Sequence, residues 1–191
     1  MRSGLTNILS WKWSYVFIDS QNVNLAIRDQ GWALDWNKLF RHLRKKYHAE
    51  KIYLFIGYIP SNQPLYTRLQ TIGYILIFKP VLALKTGKTK WNVDAELVLQ
   101  TMIDFPNYEK AILITWDGDF ACLVRYLREQ WKLRLLMVPN QDKYSSFLRI
   151  EARWDIDSLT NKRSKLEYIK KDATMGAIPK TTSSDRDTKK V

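Results

Sequence analysis

Two rhythms of apolar and polar positions alternate along the chain. Short apolar runs recur at YVFID (Tyr15 to Asp19), KIYLFIGYI (Lys51 to Ile59), YILIFKP (Tyr74 to Pro80), KAILIT (Lys110 to Thr115) and LRLLMVP (Leu133 to Pro139). Between them, apolar residues fall at helical spacing. In DWNKLFRHLRKKY (Asp35 to Tyr47), Trp36, Leu39, Phe40, Leu43 and Tyr47 share a face, and Asp35 stands where an N-cap belongs. NQPLYTRLQTIG (Asn62 to Gly73) reads as a helix stopped by glycine, and VDAELVLQTMIDF (Val93 to Phe105) as another. DFACLVRYLREQW (Asp119 to Trp131) is strongly amphipathic, and SSFLRIEA predicts a last short helix. Continuously apolar strands alternating with helices predict a parallel sheet covered on both faces, a doubly wound α/β domain. Ligands of such folds bind at the carboxyl ends of the strands, where strand order reverses.

Periodicity places the domain at residues 14–160, after an N-terminal extension over 1–13. From about Asn161 the composition turns basic and poor in large apolar residues. Residues 161–191 therefore predict a flexible tail, with a short helix around Leu166 to Lys171.

Composition narrows the partners. Of 191 residues, 46% are apolar, enough for a packed core, and Lys plus Arg exceed Asp plus Glu by 31 to 19, a net charge of +12. That excess suggests a polyanion, RNA or DNA first; a solvated basic surface is the plainer alternative. The eight tryptophans divide between packing and base stacking. A single cysteine, Cys122, excludes an intramolecular disulfide and a Cys/His zinc pattern; among Phe120, Leu123 and Val124 it reads as a buried thiol. The first 17 residues lack a signal-peptide pattern, and no run of about 18 apolar residues predicts a membrane span. A cytoplasmic protein is expected, or a nuclear one in a nucleated cell.

Carboxylates stand at the strand ends. Asp19 closes the first strand and is followed by Ser20, Gln21 and Asn22; the fourth runs into Thr115, Asp117 and Asp119; Asp94 and Glu96 open the helix before it. Taken singly, Asp19 reads equally as a helix cap, Asp117-Gly118-Asp119 as a turn with a cap at Asp119, and Asp94 as helix-dipole chemistry. Together they predict a shared crevice, because the first and fourth strands are neighbours at the switch point. Crowded carboxylates need a compensating cation, and hard divalent ions take oxygen ligands.

FIDSQNV, WNVDAEL and ITWDGDF resemble the signatures of the NYN domain, the LabA-like branch of the PIN-like nuclease superfamily, over about Tyr15 to Leu159. The resemblance implies a Rossmann-like three-layer α/β/α fold with a mainly parallel five-stranded sheet, order 3-2-1-4-5. It implies an Mg²⁺ or Mn²⁺ pocket built from Asp19, Asp94, Asp117 and Asp119, with Asn22 a further catalytic residue, and hydrolysis of RNA. Ser20, Thr115, Glu96 and Gln100 are supporting positions. Two features depart from the family pattern. Trp116 stands where a small residue is usual, and Gln100 where a second aspartate is frequent. Glu96, two residues along a helix, turns about 200° away from Asp94.

The expected activity is a metal-dependent endoribonuclease, a hydrolase. Its alternative, favoured by Gln100, is an RNA-binding module of the same fold with weak or absent catalysis. Lys85, Lys88 and Lys90 precede Asp94 and suit phosphate contacts; Trp91 and Trp116 flank the pocket and suit base stacking, although Trp116 equally suits core packing. Arg41, Arg44, Lys45 and Lys46 read as a solvated helix face, and His42 and His48 lie away from the site. RNA is the expected partner, single-stranded or structured, with no membrane. Family members often pair, so a homodimer is a further expectation, and the tail is expected to add RNA or protein contacts. A regulatory role through that tail is a third reading. A haloacid dehalogenase-type phosphatase fits poorly, because Asp19 has no aspartate two residues later.

Overall fold

A computed structural model of the chain describes residues 14–80, 82–83, 89–90 and 94–169. Six strands form the main sheet: β1 (Ser14–Asp19), β2 (Ala49–Tyr58), β3 (Ile75–Pro80), β4 (Lys110–Ile114), β5 (Leu133–Val138) and β6 (Ile156–Ser158). Their spatial order is β3-β2-β1-β4-β5-β6, and every pairing in that sheet is parallel. The expected order thus holds through five strands, and β6 adds a sixth at the edge. Leu82–Ala83 and Thr89–Lys90 form a separate antiparallel ribbon.

Successive strand residues point to opposite faces, so each face acquires its own core. Val16, Ile18, Ile52, Leu54, Ile112 and Ile114 face one way. They pack under α1 (Ser20–Arg28), α2 (Trp36–Tyr47) and α3 (Gln63–Ile72). Tyr15, Phe17, Tyr53, Phe55 and Leu113 face the other way, under α4 (Asp94–Ile103), α5 (Ala121–Glu129) and α6 (Ser146–Ala152). This second face is aromatic: Phe17 stacks on Tyr53 at 5.4 Å and meets Tyr108 edge-on at 5.8 Å. β1 is buried along its whole length because β2 and β4 flank it and helices cover both faces.

Helix ends follow the expected chemistry. Asp35 accepts the N–H groups of Asn37 and Lys38 at the start of α2. Gly73 ends α3 at φ 116°, and a Cβ there would lie 2.7 Å from the Phe40 ring. Arg41, Arg44, Lys45 and Lys46 are exposed on α2, as a solvated face requires.

Three expectations change. The helix read from Asp119 begins at Ala121, because Gly118–Phe120 form a 3-10 turn capped by Asp117. Cys122 is exposed, not buried: the core stripe of α5 is Leu123, Val124 and Leu127, which turns Cys122 outward. The ordered body also runs past residue 160. α7 (Arg163–Leu166) buries Leu166 in the first core; the Leu166 carbonyl accepts the Asp35 N–H at 2.8 Å, and Glu167 bridges Leu34. The remainder of the expected tail, and the extension over 1–13, lie outside the described residues.

Candidate metal centre

The register of the sheet builds the site. Asp19 pairs with Phe55 of β2, and Ile18 with Ile114 of β4, so the carboxyl ends of β1 and β4 finish side by side. α4 packs on β1 and on the turn after β4, bringing its first residue, Asp94, to the same edge.

Each carboxylate is held by local bonding. Asp19 is 2% exposed and caps α1. Its oxygens accept the Asn22 N–H at 3.2 Å and the Asn22 side-chain amide at 2.5 Å. The buried Thr115 hydroxyl accepts the Asp117 N–H at 3.1 Å, and Asp117 in turn accepts the Asp119 N–H at 3.1 Å. Two consecutive side chain-to-backbone turns thus set Asp117 and Asp119 at the mouth of the strand. Asp117, rather than Asp119, is the cap.

Ligand oxygens of Asp94, Asp117 and Asp119 lie within 4.8 Å of one another. The first two are half-buried and the third is exposed. Asp19 lies beside this group and feels it. Burial pushes its carboxyl up to about 7; the Asn22 N–H opposes the rise, while the charges of Asp94 and Asp117 add to it. The donor set fits a hard divalent cation. All donors are carboxylate oxygens, and ligands of one Mg²⁺, at about 2.1 Å from the ion, stand about 3–4 Å from each other.

The other expected residues divide. The Ser20 hydroxyl donates to the Phe55 carbonyl at 2.7 Å, pinning α1 to β2. Glu96 pairs with Lys79 of β3 at 3.1 Å. The Gln100 amide donates to the buried Asp104 at 2.7 Å. Asp104 also meets Lys51, at the start of β2, at 3.8 Å, so Gln100 is tied toward the opposite edge of the sheet. Trp116 is half-buried, and its carbonyl accepts the Ser145 N–H at 3.2 Å. Lys85, Lys88 and Trp91 lie outside the described residues, and Lys90 is described only as part of the ribbon backbone.

Ser145 is a neighbour that sequence reasoning passed over. It caps α6, and a Cβ on Gly118 would lie 2.4 Å from its hydroxyl oxygen. Gly118 therefore lets α6 approach the acidic turn. The available signal was the serine pair before Phe147, an N-cap pattern.

The NYN domain family model matches residues 14–157. A crystal structure of a protein of unknown function from Vibrio parahaemolyticus shares the fold, with a TM-score of 0.65 and 19% identity over 78% of this chain and 93% of that one. No curated protein matches. The family match spans the sheet from the first residue of β1 into β6 and includes all four aspartates, and on that ground the chain belongs to the NYN domain family.

Proposed function

We propose that this domain hydrolyses RNA phosphodiester bonds as an Mg²⁺- or Mn²⁺-dependent endoribonuclease. The observation that carries the reading is the convergence of Asp94, Asp117 and Asp119 beside the buried Asp19 at the carboxyl edge of the sheet. Membership of a nuclease-like family and the net charge of +12 support it. Asp94, Asp117 and Asp119 would hold the cation, with Asp19 as the buried member of the set. When bound, a divalent cation neutralises phosphate charge and makes water a better nucleophile at neutral pH. Asn22 orients Asp19, and Thr115 fixes the turn that presents Asp117. The repulsion that Asp94 and Asp117 impose on Asp19 disappears once their charge is compensated. Lys85, Lys88, Lys90, Trp91 and Trp116 are assigned to the RNA strand by charge and stacking capacity.

The test is cleavage of labelled RNA in Mn²⁺, wild type against Asp117→Asn, with and without EDTA. Loss of at least about 100-fold is expected for the variant, since even residues behind a metal ligand are worth about 10–100-fold. Activity that survives both the substitution and EDTA sinks the metal mechanism. A second reading, RNA binding with weak catalysis, draws on Gln100, which is spent on Asp104. Salt-sensitive RNA binding without Mn²⁺-stimulated cleavage selects it.

A further inference from the structure

A second feature lies at the opposite, amino-terminal edge of the sheet. Lys110 opens β4 and Asp117 follows its far end, so about 20 Å of chain separates this edge from the acidic cluster. Here a groove of 790 Å³ opens between the end of α5, the start of β5 and the turn after α6. Two tryptophans line it, Trp131 at 84% and Trp154 at 95% exposure. Exposure this high is unusual for the largest apolar side chain, and here it occurs twice in one groove.

The backbone shows how the two indoles are presented. Among the described residues, three non-glycines adopt positive φ, and two of them are here: Trp131 at 57° and Arg153 at 53°. Bulky residues avoid this conformation, which glycine adopts freely. Trp131 is fixed in it: its N–H donates to the Arg128 carbonyl at 2.9 Å, and its own carbonyl accepts Lys110 Nζ at 2.6 Å. The turn at Arg153 carries Trp154 outward. Both turns are helix ends, α5 closed by the Lys132 N–H on the Leu127 carbonyl at 2.7 Å and α6 capped by Arg153, and each leaves an indole in solvent just beyond its helix.

The lining is basic. Lys110, Arg128, Arg134 and Arg153 contribute four cations against Glu129 and Asp155. Arg134 is anchored to the Ser14 hydroxyl at 2.8 Å and the Tyr47 carbonyl at 2.7 Å, and Arg128 to Glu151 at 3.5 Å. The Arg153 side chain makes no hydrogen bond or ion pair among the described residues and stands beside Trp154.

We propose that this groove is a binding site for single-stranded RNA, with unpaired bases stacked on Trp131 and Trp154 and phosphates held by Arg153 and Lys110. The inference builds on RNA as the polymer handled at the acidic edge. Indole faces need unstacked bases, which a duplex does not offer, and fixed cations beside aromatic rings suit a backbone read without regard to sequence. The groove would hold one part of a strand while another part reaches the carboxylates.

The experiment uses the full chain in EDTA, so that binding is read without cleavage. The probes are a labelled oligouridylate of about 12 nucleotides, within the usual span of such grooves, and an RNA duplex of equal length. Trp131→Ala and Trp154→Ala are each expected to weaken the single-strand complex at least about fivefold and to leave the duplex little changed. Phenylalanine at either position is expected to restore most of the loss, which separates stacking from a folding defect. Arg153→Gln is expected to reduce the salt slope of binding by about one phosphate contact. Alanine variants that bind like the wild type overturn the proposal, as does an equal loss for duplex. So does a wild-type dimer that the alanine variants dissociate while RNA affinity stays unchanged, which assigns the groove to self-association. A chain that binds through the tryptophans yet never cleaves keeps this inference and removes the nuclease reading.

Discussion

Asp19 serves two ends with one carboxylate. It caps α1 through Asn22, and it sits buried beside two other acids. In the unfolded chain it ionises near 3.8, and in the fold near 7. Between those values the folded state keeps a proton that the unfolded state has released, so stability falls as pH rises through that window. For the cation-free chain, Asp19 should cost roughly 2–3 kcal/mol between pH 5 and pH 8. Asp19→Asn should remove that slope and be the more stable protein at pH 8. Urea titrations in EDTA at both pH values check this; parallel slopes for wild type and variant exclude it. Thr115 acts one step from the cluster. Thr115→Val deletes the acceptor of the Asp117 N–H, and about 1–2 kcal/mol of stability should go with it. Cleavage should fall about tenfold if Asp117 is displaced; unchanged denaturation and unchanged cleavage would together remove its positioning role.

At the scale of elements, the site is a consequence of register. A shift of one residue between β1 and β4 would turn Asp19 and its whole strand to the other face. That register is held from both sides by two cores, one largely aliphatic and one aromatic. α7 reinforces the aliphatic side by burying Leu166 against it, while Glu167 and Tyr168 engage Leu34 and Ala33. Leu166→Ala should therefore cost about 2–5 kcal/mol, the usual range for a buried leucine. Thermal or denaturant unfolding measures it, and a loss below about 1 kcal/mol would show that α7 is peripheral to the fold. The first five strands were legible because each is a mainly apolar run, which burial under helices on both faces demands of the central ones, while β3 at the edge keeps the pattern with Ile75 and Phe78 partly exposed. β6 was not. It spans three residues, Ile156–Ser158, two of them polar, and pairs on one side only, through Leu136, Met137 and Val138. The short helix expected around Leu166 to Lys171 lies earlier, at Arg163–Leu166, and Glu167 is already extended; one leucine among Arg163, Ser164 and Lys165 carries no periodic signal to place it.

At the scale of the molecule, opposite charges are sorted to different places. The chain carries +12 overall, yet three carboxylates crowd the carboxyl edge of the sheet. Cations and two exposed indoles line the amino edge. None of the described helices is long and apolar enough to cross a membrane. If RNA is held mainly through phosphates, affinity should fall log-linearly with salt. Engagement of about six phosphates predicts a loss of roughly 100-fold or more between about 50 and 200 mM salt. Fluorescence anisotropy with labelled single-stranded RNA in EDTA measures the slope, and a flat curve would exclude electrostatic anchoring.

The sequence by itself determined the layers and the four aspartates, because apolar runs, helical spacing and short motifs are local in the chain, and the family resemblance that those motifs carry implied the order of the first five strands. It also carried the basic charge, which needs no fold to count. Only the tertiary structure decided how each side chain is spent. Asn22 and Thr115 bind their neighbouring aspartates, Glu96 pairs with Lys79, and Gln100 turns to Asp104. Cys122 and Trp131 stand in the open, and Trp154 joins Trp131 from a turn twenty-three residues away in the chain. These outcomes depend on which residues meet across the sheet and on which burial the core has already satisfied, and a linear pattern records neither.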